Sequence, residues 1–339
     1  MRLISSVLAA ALLITGCART VTRLPTVPPV VTPTPSPVQL PRDAQPHDAL
    51  TEWWYYTGHL EAEDGKQYGF EFTIFQVRRQ DAPTGYLAHF AVTDIDAPRF
   101  SHQARISQGE AQSALPMQVQ EWSLGADDTI YAAMQVGPGA EVPYALELQF
   151  VDEKSPALHH GGFIDIEPGG GSYYYSRTRL SARGWLTKGD GPRLPVTGRA
   201  WMDHQWGNFV VGSGWDWYSL QFDDNRELML YVLRTAPGSV SAVYGSEVLP
   251  NGSVRDLQPN EVLTEPLGTW VSPHTGAVYP SGWRLTLRNR EQLEVRPVLA
   301  DQELYLPGLG GSVYWEGAVS ISGDRTGRGY VELTGYAPQ

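Results

Sequence analysis

Apolar and polar side chains alternate along most of the chain. Between residues 68 and 74, Tyr68, Phe70, Phe72 and Ile74 fall on one face of an extended strand, with polar or small residues between them. Comparable stretches predict further strands at residues 53–60, 86–92, 145–150, 172–180, 283–287 and 330–333. Long stretches with the 3.6-residue period of a helix are scarce. The pattern therefore predicts an all-β chain.

Turn sequences separate or bound these strands, and one hairpin suggests a register. The turns include Glu63-Asp64-Gly65, Pro250-Asn251-Gly252 and Ser322-Gly323-Asp324. If Asp224-Asn225 forms the tip of a hairpin, a loop of two or four residues places Asp216 opposite Leu233 and Tyr218 opposite Tyr231. This register predicts that Asp216, Tyr218 and Tyr231 line the same wall. The alternative is a solvated Asp216 near the start of a strand.

The first 46 residues differ in composition from the rest. Arg2 precedes an apolar run, residues 3–13, which is too short to span a bilayer and is typical of the core of a signal peptide. Ile14-Thr15-Gly16-Cys17 resembles the lipobox at which bacterial lipoproteins are cleaved. The proline-rich residues 19–46 indicate an extended spacer. We expect residues 1–16 to be a signal peptide and residues 17–46 a lipidated Cys17 with its linker.

The net charge limits the classes of binding partner, and the cysteine content excludes an intrachain disulfide. The net charge of −12 argues against nucleic acid and anionic lipid surfaces. Cys17 is the single cysteine, so no intrachain disulfide can form. The export signal predicts an extracytoplasmic protein, in the periplasm or at the cell surface, with its lipid as the only membrane anchor. The remaining residues, roughly 290, suffice for two domains of ordinary size.

Five aromatic motifs carry a family resemblance. The chain resembles the AttH-like family, which includes the carotenoid 1,2-hydratases, through Glu52-Trp53-Trp54-Tyr55-Tyr56-Thr57-Gly58-His59-Leu60, Ser172-Tyr173-Tyr174-Tyr175-Ser176, Trp201-Met202-Asp203-His204-Gln205-Trp206-Gly207, Gly214-Trp215-Asp216-Trp217-Tyr218 and Gly329-Tyr330-Val331-Glu332-Leu333-Thr334-Gly335-Tyr336. The resemblance implies two lipocalin-like antiparallel β-barrels packed together, which we assign to residues 47–209 and 210–339. It also implies a hydrophobic, isoprenoid or polyene-like ligand.

Hydration of an isolated double bond requires a placed acid, a surface that tolerates a carbocation, and one water. Asp203, His204 and Trp206 supply these residue types within four positions, and on a strand His204 and Trp206 share a face. In the related hydratases a His-x-Trp pair is joined by a downstream Tyr-x-Asp. Tyr231 matches that tyrosine, but Leu233 occupies the aspartate position.

We therefore expect Asp216, opposite Leu233 in the hairpin register, to supply the missing carboxylate. The predicted catalytic residues are Asp203, His204, Trp206, Asp216 and Tyr231, and the predicted ligand-binding residues are Trp54, Tyr56, Trp215, Trp217 and Tyr218.

Structural alternatives exist for each of these residues. The tryptophans are also typical of a barrel core, His204 and Asp203 of a buried polar pair, and Glu52 of a residue that pins the first strand. The His159-His160-Gly161-Gly162 run predicts a surface loop. No metal-binding spacing, phosphate loop or nucleophile elbow is recognisable, so no cofactor or metal is expected. Three functions stay open: a hydratase that protonates a C=C bond, a non-catalytic lipid or pigment carrier, and a polyene cyclase-like protein.

Overall fold

The computed structural model describes residues 37–165, 170–209, 214–236, 239–306 and 313–337. In these ranges the chain forms β-strands and one 3₁₀ turn, Arg42–Ala44, and none of its helices is long and apolar enough to cross a membrane. The strands, numbered β1 to β23 in chain order, are Thr51–Ala62, Gln67–Val77, Thr84–Asp94, Arg99–Gly109, Met117–Val119, Trp122–Leu124, Thr129–Ala133, Tyr144–Asp152, Ala157–Asp165, Gly171–Lys188, Arg193–Gly207, Gly214–Phe222, Glu227–Ala236, Ser239–Val248, Val254–Leu257, Val262–Pro266, Thr269–Val271, Val278–Pro280, Trp283–Leu287, Gln292–Pro297, Glu303–Tyr305, Val313–Gly323 and Gly327–Thr334.

The first sheet contains 11 antiparallel strands in the order β4-β3-β2-β1-β11-β10-β8-β7-β6-β5, with β9 paired to β10. Side chains join its two end strands. The Gln120 side-chain amide donates to the Ile106 carbonyl at 2.8 Å, and Arg105 pairs with Glu121 at 2.7 Å. These contacts bring the edges together, so the sheet forms a nearly closed barrel.

The second sheet contains 10 antiparallel strands in the order β15-β14-β13-β12-β23-β22-β20-β19-β16, with β21 paired to β22. Strands β17 and β18 form a separate two-stranded sheet. Arg255 on β15 pairs with Glu261, just before β16, at 3.1 Å, which links the two end strands. The predicted fold class is thus confirmed, with two antiparallel, barrel-like sheets.

The two sheets pack face to face through a third apolar cluster, distinct from the two barrel interiors. Both faces of strand β2 are buried. Its apolar face fills the first barrel, as the alternation predicts, and its other face meets the second sheet. A Cβ atom at Gly69 would lie 2.8 Å from the Ala318 Cβ, so glycine at this position lets the sheets approach closely. Polar residues of β2 therefore become buried without entering a barrel.

The hairpin between β12 and β13 has a register one residue away from the predicted one. Trp217 pairs with Tyr231, because the loop has three residues rather than two or four. The Phe222 N–H donates to the Arg226 carbonyl at 2.8 Å, and Asn225 adopts a left-handed conformation with φ of 65°. This geometry is typical of a three-residue hairpin loop. A shift of one residue moves side chains to opposite faces of the sheet.

The shifted register separates residues that we expected on one wall. Asp216 lies opposite Val232, and Leu233 lies opposite Trp215. Asp216 and Tyr218 consequently face the interior of the second barrel. Trp215 and Trp217 face the first sheet.

The predicted surface loop at His159-His160-Gly161-Gly162 is also wrong. These residues belong to β9, and His159 is fully buried with its Nε2 2.7 Å from the Ser176 hydroxyl. The two glycines adopt positive φ angles within the strand, at 72° for Gly161 and 91° for Gly162. A Gly-Gly pair is typical of a turn, but here it marks an irregularity within a strand.

Candidate functional site

A cavity of about 100 Å³ lies between the two sheets. Its wall is mainly aromatic, and two carboxyl groups border it, one from β11 and one from β23. The first sheet contributes Trp53, Tyr55, Phe75 and Asp203, and the second contributes Trp215, Trp217, Tyr231, Tyr314 and Glu332. The cavity thus combines aromatic π faces with ionisable groups, and a purely apolar interface would have no such ionisable groups.

Asp203 points toward this cavity, because alternation along β11 directs it away from the first barrel's interior. Its carboxylate accepts hydrogen bonds from the Tyr174 hydroxyl and the Trp201 Nε1–H, both at 2.6 Å, and from the Ser176 hydroxyl. Burial raises the pKa of Asp203 to about 7, although these three donors act in the opposite direction. The donors fix the carboxylate in one orientation.

Glu332 is the second carboxyl at the cavity, and sequence reasoning missed it. On β23 it lies opposite Trp217 of β12 and Glu316 of β22. Burial raises the pKa of Glu332 to about 7, a hydrogen bond from Trp215 lowers it, and the nearby Asp203 charge raises it. Its side chain is only partly buried, since it borders the cavity. The available signal was a glutamate between two apolar strand residues inside the C-terminal aromatic motif.

Two more carboxyl groups lie between the sheets, away from water. The Tyr55 hydroxyl donates to Glu316 at 2.6 Å, and burial raises the pKa of Glu316 well above its ordinary value, with Glu332 and Glu71 adding to the effect. Burial also raises the pKa of Glu71 to about 8, against a hydrogen bond from Thr73. At neutral pH this interface therefore holds protons on carboxyl groups beside an aromatic cavity.

His204 and Trp206 lie elsewhere, inside the first barrel. The His204 Nε2 lies 2.8 Å from Glu52, its Nδ1 lies 3.2 Å from the Tyr175 hydroxyl, and the Trp54 ring stacks on it at 4.5 Å. Burial lowers the pKa of His204, although the hydrogen bond to Glu52 partly offsets this effect. The imidazole is therefore neutral at physiological pH.

His47, from the segment before β1, completes this cluster. Its Nδ1 lies 2.7 Å from Glu52, and its ring stacks on Trp206 at 4.0 Å. Burial opposes the charge on Glu52, but hydrogen bonds from His204 and His47 outweigh it and hold its pKa below the ordinary value. One ligand atom each from His47, Glu52 and His204 lies within 4.8 Å of the others, a set that could hold a metal ion. No sequence spacing could reveal it, because His204 and Glu52 are 152 positions apart.

Asp216 does not replace the carboxylate missing at Leu233. It pairs with the Arg234 guanidinium at 3.0 Å and accepts a hydrogen bond from the Tyr336 hydroxyl at 3.0 Å, within the second barrel. Tyr218 is fully buried there, 5.6 Å from the Trp283 ring. The expected common wall with Tyr231 is therefore not formed, because the three-residue hairpin loop shifts the register.

The remaining predicted residues divide between the barrels and the cavity. Trp54 and Tyr56 face the first barrel's interior, where Tyr56 stacks on Phe150 at 5.0 Å. Trp215 and Trp217 line the cavity together with Asp203 and Tyr231. Cys17, the predicted lipidation site, lies outside the described residues.

A larger cavity, of about 370 Å³, lies in the second barrel. Its apolar wall includes Phe222, Leu228, Leu257 and Leu287. Three arginines and two glutamates border it, and they pair with one another, as in the contacts of Glu261 with Arg255 at 3.1 Å and with Arg288 at 3.0 Å. This cavity offers apolar volume but no unpaired acid.

Comparisons with known proteins agree with this architecture. A crystal structure of a protein assigned to AttH from Nitrosomonas europaea superimposes with a TM-score of 0.81 at 31% identity, covering 90% of this chain and 99% of that one. Kievitone hydratase from Nectria haematococca gives a TM-score of 0.70 at 16% identity, covering 88% and 92%. CghA with Sch210972 gives 0.53 at 16% identity, covering 85% and 89%. The search of curated proteins gives no match. The AttH-like family model matches residues 31–336, and the chain therefore belongs to the AttH-like family.

Proposed function

We propose that this protein binds a hydrophobic, isoprenoid or polyene-like molecule between its two sheets and protonates an isolated C=C bond there, with water completing a hydration. The observation that carries the proposal is the pair of carboxyl groups, Asp203 and Glu332, at an aromatic cavity, each with a pKa of about 7. General acids work best when their pKa lies near the working pH. The fold is shared with kievitone hydratase, which is named for a hydration.

The environments of the two carboxyl groups suggest separate roles. Asp203 accepts three hydrogen bonds, which favour its ionised form and suit it to a general base. Burial and the nearby Asp203 charge favour the protonated form of Glu332, and its carboxyl borders the cavity, which suits it to a general acid. At neutral pH one carboxyl can then hold a proton while the other is ionised.

The proposed reaction balances with these two groups and one water. Glu332 gives its proton to the less substituted alkene carbon, which leaves a tertiary carbocation on the other. The rings of Trp215, Trp217 and Tyr231 stabilise this cation by about 0.5–2 kcal/mol each. A water adds to the cation as Asp203 takes its proton, and transfer of that proton back to Glu332 through water restores the enzyme.

The size of the cavity limits what it encloses. At about 100 Å³ it is smaller than the roughly 300–1,000 Å³ typical of sites for drug-sized ligands. We infer that it receives one end of a longer molecule, the end that carries the reacting double bond. Cyclase-like folding of a whole polyene would need more room than this.

The test begins with native mass spectrometry of protein purified from its own host, which identifies any bound molecule. That molecule is then incubated with protein in H₂¹⁸O. We expect a product that gains one ¹⁸O-labelled water with the wild type, and at least about a hundredfold less with Glu332→Gln or Asp203→Asn. Glu303→Gln is the matched control, because Glu303 is also buried and hydrogen-bonded, to Ser272 and Tyr279, but lies in the second barrel. Equal labelling by all four proteins would refute the proposal.

A carrier function has one observation in its favour, the cavity of about 370 Å³ in the second barrel. A carrier would bind the same molecule there and return it unchanged. Leu228→Trp would then fill the cavity and abolish binding, whereas hydration between the sheets would continue. Recovery of unchanged ligand from H₂¹⁸O, combined with loss of binding in Leu228→Trp, would favour the carrier.

The proposal also includes an extracytoplasmic location. The apolar run before Cys17 and the proline-rich residues after it support export, lipidation and tethering to a membrane through the lipid alone. The predicted spacer is shorter than residues 19–46, because Val38 and Asp43 are buried and Arg42–Ala44 forms a 3₁₀ turn. Metabolic labelling with a radioactive fatty acid should label the wild type and not Cys17→Ser. Labelling that survives the substitution would contradict this part of the proposal.

A further inference from the structure

We propose that His47, Glu52 and His204 form a binding site for a divalent transition-metal ion at one end of the first barrel. The site lies apart from the cavity between the sheets, and the inference goes beyond the proposed hydration. Two imidazole nitrogens and one carboxylate oxygen are ligands that suit zinc and its neighbours in the first transition row. One such atom from each residue lies within 4.8 Å of the others.

The backbone brings the three ligands together without distortion. Glu52 and Trp54 face the first barrel's interior from β1, and their partners in the ladder, Trp206 and His204, face it from β11. His204 is therefore a diagonal neighbour of Glu52 on the same face. His47 enters from the segment that precedes β1, and its N–H donates to the Glu52 carboxylate at 2.8 Å. This last contact ties the position of the incoming segment to the carboxylate.

The present distances leave room for an ion after a small adjustment. The His47 Nδ1 and the His204 Nε2 lie 2.7 Å and 2.8 Å from the same Glu52 oxygen. Ligand atoms around a tetrahedral zinc ion lie about 3.3 Å apart, given bonds of about 2.0–2.1 Å. The two nitrogen–oxygen contacts would each lengthen by about half an ångström to reach that spacing, and the three ligand atoms already lie within 4.8 Å of one another.

The outer nitrogen of each histidine ligand also faces a polar group, as is usual for histidines that bind a metal. The His204 Nδ1 lies 3.2 Å from the Tyr175 hydroxyl, and the His47 Nε2 lies 3.7 Å from the Asp43 carboxylate. Asp43 is itself buried and accepts the Gln39 N–H at 2.6 Å. When the metal occupies the inner nitrogens, each neutral imidazole carries its single proton on the outer nitrogen, facing Tyr175 or Asp43. For His47, a shift of Nε2 toward Asp43 from the present 3.7 Å would give the carboxylate–histidine–metal arrangement, whereas a tyrosine hydroxyl takes that place behind His204.

An unpaired donor beside the cluster gives independent support. The Trp54 ring stacks on the His204 ring at 4.5 Å, and its indole Nε1–H is buried with no hydrogen-bond partner among the described residues. An unpaired buried N–H is unfavourable, because burial removes its hydrogen bonds to water without replacing them. Three protein ligands leave a fourth position on the ion, and a water or hydroxide there would be an acceptor of the kind that Trp54 lacks.

The test is titration of the full-length chain with Zn²⁺. The protein has no polyhistidine tag and carries Cys17→Ser, so that neither added imidazoles nor the thiol competes for the metal. Calorimetry should give one equivalent bound at micromolar concentration or tighter, and Co²⁺ should give the visible absorption of a four-coordinate site. We expect His47→Ala to weaken binding by roughly 100-fold or more. Its side chain is 22% exposed, so the fold should tolerate the change, which circular dichroism checks.

His274→Ala is the matched control, because His274 also pairs with a carboxylate, Asp301 at 2.9 Å, on the exposed surface. It should bind Zn²⁺ as the wild type does. Failure of the wild type to bind Zn²⁺, or an equal loss in His274→Ala, would overturn the proposal. Neither result depends on turnover of a hydrophobic ligand, so the outcome is separate from that of the proposed hydration.

Discussion

Replacement of Glu71 by Gln should change how stability depends on pH. Glu71 is 1% exposed between the sheets, and burial raises its pKa from 4.5 to about 8. The folded chain therefore holds a proton that the unfolded chain releases at every pH between these values. Stability from this group is fully present below pH 4.5 and is lost as the pH rises through 8. The amide of Glu71→Gln resembles the protonated carboxyl and has no such dependence.

The size of the effect follows from the two pKa values. Between pH 5.5 and 7.5, the linkage predicts that the free energy of unfolding falls by about 2–3 kcal/mol more in the wild type than in Glu71→Gln. Urea unfolding followed by tryptophan fluorescence at the two pH values measures this difference, and equal m values would show that the same transition is compared. Glu63→Gln, on an exposed turn, should follow the wild type.

If the difference between wild type and Glu71→Gln is the same at both pH values, Glu71 has similar proton affinity in the folded and unfolded chains. Burial between the sheets would then not raise the pKa of Glu71, which would count against the raised pKa of Glu332 that the proposed general acid needs.

Two further predictions concern the same interface. Tyr55→Phe removes the hydrogen bond to Glu316 and should lower the free energy of unfolding by about 1–2 kcal/mol; an unchanged urea midpoint would contradict it. Glu227→Gln leaves the buried Arg179 of the other sheet without its charged partner and should cost about 3–5 kcal/mol, whereas Glu147→Gln in an exposed pair should cost less than about 1 kcal/mol. Similar losses in these two variants would show that the buried pair does not bind the sheets together.

Local pattern was enough to predict many of the longer strands, though not β9, and the aromatic motifs added the fold. Alternation has a period of two, so it correctly separated Asp203 from His204 and placed them on opposite faces of β11. It also marked Glu71 as lying on the polar face of β2. That this face packs against a second sheet depends on tertiary structure, and the burial of Glu71 could not be read from its strand alone.

The arrangement across strands was harder to predict. One residue of loop length decides the face of Asp216, and Asp223-Asp224-Asn225-Arg226 is compatible with loops of two, three or four residues. Glu332 and His47 reach their sites through pairings between segments that are distant in sequence. Such contacts leave no local period or spacing, so the second acid and the histidine–glutamate cluster required the structure.

Deuterium incorporation tests whether Glu332 transfers a proton to a bound alkene. The ligand identified by native mass spectrometry is incubated with protein in D₂O, and the deuterium bound to carbon is measured after exchange back into H₂O. We expect incorporation at the double bond with the wild type and at least about a hundredfold slower incorporation with Glu332→Gln. Undiminished incorporation in Glu332→Gln, or no deuterium on carbon with the wild type, would show that Glu332 does not protonate the ligand.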